Sequence, residues 1–94
     1  MNEVIWSEAA LVQVDVIGAY IEQFNPMAAG DVAAALIEAG NSLAHFPHRG
    51  RAVPGTTLRE IVIKAYPYII RYRIVRDTVR ILRVRHTSRQ PTSP

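Results

Sequence analysis

Ten arginines are the residues of this chain best equipped for chemistry, and all of them lie in its second half. Residues 1–48 hold six carboxylates (Glu3, Glu8, Asp15, Glu22, Asp31, Glu38) and no Lys or Arg, a charge of −6. Residues 49–94 hold all eleven basic groups against Glu60 and Asp77, a charge of +9, so the net +3 conceals the division. A guanidinium is a planar fork that meets phosphate or carboxylate through parallel hydrogen bonds. The second half is therefore suited to an anion, carried by a nucleic acid or by an acidic protein. Arg71, Arg73, Arg80, Arg83 and Arg85 are too closely spaced for chance decoration, and as a set they read as a partner-binding group. Arg49 and Arg51 flank Gly50 in a stretch whose backbone N–H groups could hold a phosphate, although solvated loop charges would look the same.

The other titratable residues have plainer readings beside the chemical ones. Histidine is the side-chain type suited to proton transfer near neutral pH, which makes His86 a candidate, but a histidine at a strand end is more often a surface hydrogen-bonding group. His45 and His48 flank a predicted helix end, where a cation complements the dipole, and a capping role is expected of them. Glu60 beside Arg59 reads as an exposed cross-strand ion pair, worth about 1 kcal/mol or less. With no cysteine in the chain, disulfides, thiolate metal sites and cysteine nucleophiles are excluded. Three scattered histidines make no metal cluster, and no cofactor is implied.

These residues must be positioned by one small domain. Ninety-four residues, 49% of them hydrophobic and 20% charged, suffice for one core and not for two. A domain of this size buries a limited share of its surface, which suits a subunit stabilised by a partner. No basic leader with an apolar core opens the chain and no apolar run approaches ~18 residues, so a cytoplasmic protein without membrane contact is expected.

The elements follow from periodicity. Glu3-Val4-Ile5-Trp6 is β-prone, and Ser7 is a helix N-cap with Glu8 in the first turn. Ala10, Val14, Ile17 and Ile21 recur at helical spacing within residues 8–24, with Tyr20 and Phe24 at the margin of the stripe. Asn25-Pro26 ends this helix and starts a second over residues 26–45, whose stripe is Ala29, Ala33, Leu36, Gly40 and Leu43. The short connection predicts an antiparallel αα-hairpin with an acidic outer surface. Residues 46–57 mix basic, Gly and Pro residues and read as loop. Residues 58–64, 68–75 and 78–86 are rich in β-branched and aromatic side chains and read as a three-stranded antiparallel meander.

The fold class is thus α+β: an N-terminal strand, an antiparallel αα-hairpin, then a three-stranded antiparallel meander forming one sheet. If Arg76-Asp77 is a two-residue turn, Arg73 faces Arg80 across the ladder, an unfavourable pair unless an anion neutralises it. On strict alternation Leu82, Val84 and His86 share that uncovered face. A single domain is expected over residues 1–90, with a flexible tail over 91–94 and fraying from residue 87 onward.

The order of these elements resembles the RelE/ParE superfamily of toxins from bacterial type II toxin–antitoxin modules. So do Trp6-Ser7-Glu8-Ala9-Ala10, Tyr20-Ile21, Asn25-Pro26, Phe46-Pro47, Gly50-Arg51, Pro54-Gly55-Thr56, Leu58-Arg59-Glu60, Tyr66-Pro67-Tyr68-Ile69-Ile70-Arg71-Tyr72-Arg73 and Val84-Arg85-His86-Thr87-Ser88-Arg89. The resemblance extends to about Gln90. It implies a toxin neutralised by a cognate antitoxin in a hetero-oligomer, touching operator DNA only indirectly through that antitoxin. An acidic or amphipathic antitoxin segment would suit the arginine-rich face.

The superfamily holds two activities: ribosome-dependent mRNA cleavage in RelE-like members and DNA gyrase poisoning in ParE-like members. For a nuclease the resemblance implies catalytic roles for Arg59, Glu60, Arg73, His86 and Arg89, which would activate a ribose 2′-hydroxyl and stabilise a pentacoordinate phosphate. Ile61 and Ile69 stand where further basic residues are wanted, and no Tyr follows Tyr72. The run from Val79 to His86 followed by Arg89 is more like the ParE-like ending. Gyrase poisoning is therefore the expected activity, with the ribosome-dependent nuclease as the alternative enzyme and a degenerate antitoxin-binding remnant as the third reading.

Overall fold

A computed structural model describes residues 2–88, as five strands and two helices around a single core. Strand β1 (Glu3–Trp6) leads into helix α1 (Glu8–Glu22), whose first turn is closed by the Ser7 hydroxyl accepting the Ala10 N–H at 3.0 Å. The Asn25 side chain likewise accepts the Ala28 N–H, and Pro26 opens helix α2 (Pro26–Asn41). Each cap satisfies a backbone donor that the first helical turn leaves without an intrahelical acceptor. A single 3-10 turn follows at Ser42–Ala44, so the second helix ends earlier than its apolar stripe suggests, although Leu43 is still buried.

The remaining strands are β2 (Arg51–Ala52), β3 (Leu58–Val62), β4 (Tyr68–Val75) and β5 (Thr78–His86). They join β1 in one mixed sheet of order β1-β5-β4-β3-β2. The β1–β5 pair is parallel and the β5–β4, β4–β3 and β3–β2 pairs are antiparallel. The expected N-terminal strand, helical hairpin and meander are all present. Two details differ: Arg51-Ala52, expected in a loop, forms a short edge strand on β3, and β3 stops two residues before Lys64.

The helices cover one face of the sheet. Ala10, Val14, Val32 and Leu36 pack against Ile61, Ile70, Tyr72, Val79, Ile81 and Val84. Gly40 allows the closest approach, because a Cβ there would collide with the Trp6 ring and lie 2.7 Å from Ile81 Cδ1. The Trp6 indole N–H reaches over to Asn41 Oδ1 at 2.9 Å. Among the described residues no helix lies on the opposite face.

One irregularity decides what that open face carries. Arg71 pairs with Arg83, but the next residue, Tyr72, pairs with Ile81, so Leu82 is an extra residue in β5. A bulge of this kind reverses the alternation of every residue beyond it. Val84 is consequently buried in the core and His86 sits opposite Tyr68 on the helix side, their rings in an edge-to-face contact at 5.4 Å. The strict alternation that would have put Val84 and His86 beside Arg80 is thus broken, and Arg83 and Arg85 take the open face instead.

Candidate functional site

The open face is a map of charge written in the strand register. Along one rung Arg80 and Arg73 are direct cross-strand partners, flanked by Ile5 on β1 and Leu58 on β3. Along the next, Arg83, Arg71, Glu60 and Arg51 follow one another across four strands. Beyond these Arg85 pairs with Ile69, which pairs with Val62. Among the described residues, six guanidinium groups therefore share a surface with one carboxylate. Arg49 is exposed in the loop just before β2.

Glu60 is the centre of the self-neutralised part. Its Oε2 accepts hydrogen bonds from Arg71 Nε at 2.8 Å and Nη2 at 2.6 Å, and lies 3.7 Å from Arg85 Nη2. The residue is only 9% exposed. The expectation of an exposed pair between Glu60 and its neighbour Arg59 is corrected: adjacent strand residues point to opposite faces, and the partner comes from β4. Arg85 Nη1 is buried with no hydrogen-bond partner among the described residues.

Arg59 belongs to the other side of the sheet. Its Nη1 donates to the carbonyls of Gly50 at 2.6 Å and His48 at 3.3 Å, tying the basic loop down. Tyr72 completes the tie: its hydroxyl donates to Pro47 O at 2.7 Å and accepts the Gly50 N–H at 2.9 Å. Burial pushes the Tyr72 phenol above its ordinary pKa, against the lowering effect of the Gly50 hydrogen bond and of Arg59 and Arg49 nearby. The loop amides considered for phosphate are thereby engaged, Gly50 with Tyr72 and Arg49 with the Phe46 carbonyl.

The histidines have equally defined places. His86 Nδ1 accepts the Ser88 N–H at 3.1 Å and lies 2.9 Å from Ser88 Oγ, so in the neutral ring the proton resides on Nε2. His45 follows the 3-10 turn with its ring tilted against Phe46, and neither it nor His48 makes a side-chain cap among the described hydrogen bonds.

The residues of the prospective nuclease set do not converge. Arg59 and Tyr72 are register partners on the helix side, Glu60 and Arg73 lie on the open face, and His86 is opposite Tyr68 at the far end of β4. Four strand positions, about 13 Å, separate Tyr68 from Tyr72. Arg89 lies outside the described residues, as does the prospective tail over 91–94. Among the described residues no group of His, Asp or Glu could hold a metal ion, and no helix is long and apolar enough to cross a membrane.

A second surface lies on the helical hairpin. Leu11, Val12, Val16, Tyr20, Phe24 and Met27 are exposed, the last two by 71% and 83%. A groove between α1 and α2 is lined by Leu11, Val14, Ala33 and Ile37, with Asp15 and Glu38 at its margins. The periodicity of α1 marked Tyr20 and Phe24 as marginal. The apolar residues Leu11, Val12 and Val16, outside the core stripe, were the signal for this surface.

The model of the ParE toxin of type II toxin–antitoxin systems matches residues 4–91. A relative from Caulobacter vibrioides named Toxin RelE2 is 44% identical over 89 residues, spanning 95% of this chain and 99% of that protein. Among solved structures, the chromosomal ParDE system from P. aeruginosa superposes with a TM-score of 0.86 at 19% identity, over 94% of this chain and 98% of that one. The isolated E. coli RelE toxin gives 0.59 at 13% identity, over 97% and 89%. These two likenesses concern the fold.

Proposed function

Because the chain belongs to the ParE/RelE family of toxins of type II toxin–antitoxin systems, we propose that it is the toxin of such a module, held inactive by a cognate antitoxin and poisoning DNA gyrase when free. The dispersal of the nuclease candidates carries the choice of target. A general base and the groups that stabilise a pentacoordinate phosphate must lie within hydrogen-bond reach of one reacting centre. Here Arg59 is spent on the carbonyls of His48 and Gly50, Glu60 is spent on Arg71, and the acceptor nitrogen of His86 is occupied by Ser88. Inhibition by surface binding has no such requirement.

The antitoxin partner is supported by the hairpin. An amphipathic antitoxin segment would bury Leu11, Val16 and Ile37 and place basic residues against Asp15 and Glu38. Localisation in the cytoplasm, where gyrase and ribosomes work, is part of the same proposal.

The ribosome-dependent nuclease is the second reading, favoured by the name of the Caulobacter relative. One experiment separates the two. The purified chain is added to gyrase with relaxed plasmid and, in parallel, to translating ribosomes with a labelled message. Loss of supercoiling with intact message supports gyrase poisoning. Codon-positioned cleavage with normal supercoiling would replace it by the nuclease, and neither effect would leave an antitoxin-binding remnant.

A further inference from the structure

The arginines of the open face are not equivalent, and the difference locates a ligand. Glu60 neutralises Arg71 and approaches Arg85. Among the described residues no carboxylate pairs with Arg73, Arg80 or Arg83, and all three are exposed. Arg73 and Arg80 stand directly opposite each other, and Arg83 stands opposite Arg71 on the neighbouring rung. Like charges in direct cross-strand register are destabilising, and the unneutralised Arg73–Arg80 pair with Arg83 on the next rung concentrates positive potential near the β4–β5 turn.

Arg83 is there because of the bulge. If Leu82 took a regular place in the ladder Arg83 would face the core, and the N-cap of α1 and one side chain of that helix hold the bulge in place: the Ser7 hydroxyl donates to Leu82 O at 3.1 Å and Gln13 Oε1 accepts the Val84 N–H at 2.6 Å. The fold thus adds a third cation to a face that already carries an unneutralised pair.

The manner of presentation selects the ligand. β4 is paired with β3 and β5, and β5 with β4 and β1, so neither strand offers a free backbone edge to an extended peptide. What is offered is a row of guanidinium forks on rungs about 7 Å apart. A chain with a negative charge on every repeating unit satisfies such a surface without apolar anchors or main-chain pairing. We propose that Arg73, Arg80 and Arg83 form a binding site for the phosphodiester backbone of a nucleic acid, with Glu60 as the boundary that removes Arg71 and Arg85 from it. The inference rests on reading the arginine face as a partner surface. Under gyrase poisoning it means that the toxin grips the DNA held by the enzyme as well as the enzyme.

The test is titration of fluorescent DNA and RNA oligonucleotides with the full-length chain, in the absence of gyrase and ribosomes, across a range of salt. Wild type is expected to bind with an affinity that falls log-linearly with salt, and each of Arg73→Gln, Arg80→Gln and Arg83→Gln should lower the slope by about one unit. Binding to both oligonucleotides supports a shared phosphodiester site, and preference for either identifies the natural source. No binding, or a slope unchanged in the Arg73→Gln/Arg80→Gln double variant, overturns the proposal. Tighter binding of an oligoglutamate peptide with the same arginine dependence overturns it in favour of an acidic protein. A supercoiling assay on the same preparations separates the two levels: inhibition without nucleic-acid binding sinks this site and leaves gyrase poisoning intact, and binding without inhibition does the reverse.

Discussion

Gln13 on α1 accepts the backbone N–H of Val84 on β5 at 2.6 Å, and this one hydrogen bond joins the first helix to the last strand where the sheet alternation is reversed. A bulge leaves backbone groups without ladder partners, and a buried N–H without an acceptor costs about 1–3 kcal/mol. Gln13→Leu, similar in size but unable to accept, is expected to destabilise the chain by about that amount. Denaturant unfolding measures it. The same variant should also lose nucleic-acid affinity if its Arg83 swings from the open face, whereas Arg83→Gln should lose affinity with no loss of stability.

Tyr72→Phe removes the hydroxyl that holds Pro47 and Gly50. The buried Gly50 N–H is then left alone, and a loss of about 1–3 kcal/mol is expected, with faster amide exchange across the 46–50 loop. The pH dependence has a definite sign. Burial raises the Tyr72 pKa in the folded chain above its ordinary value of 10.0, so above that pH the unfolded chain releases the proton first and stability falls with rising pH. The contribution of Tyr72 is therefore the alkaline loss present in wild type and missing from Tyr72→Phe.

Glu60→Gln is expected to be destabilising by about 1–3 kcal/mol, since it leaves Arg71 and Arg85 without a counter-charge. Added phosphate should restore thermal stability to this variant more than to wild type. An equal response of the two proteins would argue against Glu60 as the neutralising group.

Arg76 opens the β4–β5 turn with φ 57, in the left-handed region where the Cβ of an ordinary L residue crowds the following carbonyl and which Gly or Asn adopts more readily. Arg76→Asn should stabilise the chain by about 0.5–1 kcal/mol. A rise in Tm of about 4 °C would be consistent with that figure for a domain of this size.

Much of the architecture was legible in local chemistry. Ser7 and Asn25 announce their helices because a side-chain oxygen before an apolar-periodic run satisfies a free backbone N–H, and both caps form. The Arg73–Arg80 pairing follows from a two-residue turn at Arg76-Asp77, which fixes the register of the hairpin. Other features left no local trace. The pairing of Glu60 with Arg71 instead of Arg59, and the edge strand at Arg51-Ala52, depend on which strands become neighbours. Tyr72 carries no mark in the sequence that its hydroxyl would fasten Pro47 and Gly50.

The sequence by itself determined the inventory: an acidic half that makes two capped helices, a basic half that makes strands, and enough arginine to demand an anion. Those properties are set by residue type and by spacing along the chain, where interactions are short-range. Only the tertiary structure decided which arginines stand together and which are neutralised, because a single extra residue at Leu82 turns the end of β5 over. That bulge is held by Ser7 and Gln13, more than seventy residues earlier in the chain. Side-chain facing in a sheet has a period of two, so one long-range hydrogen-bonding choice reassigns every residue that follows it.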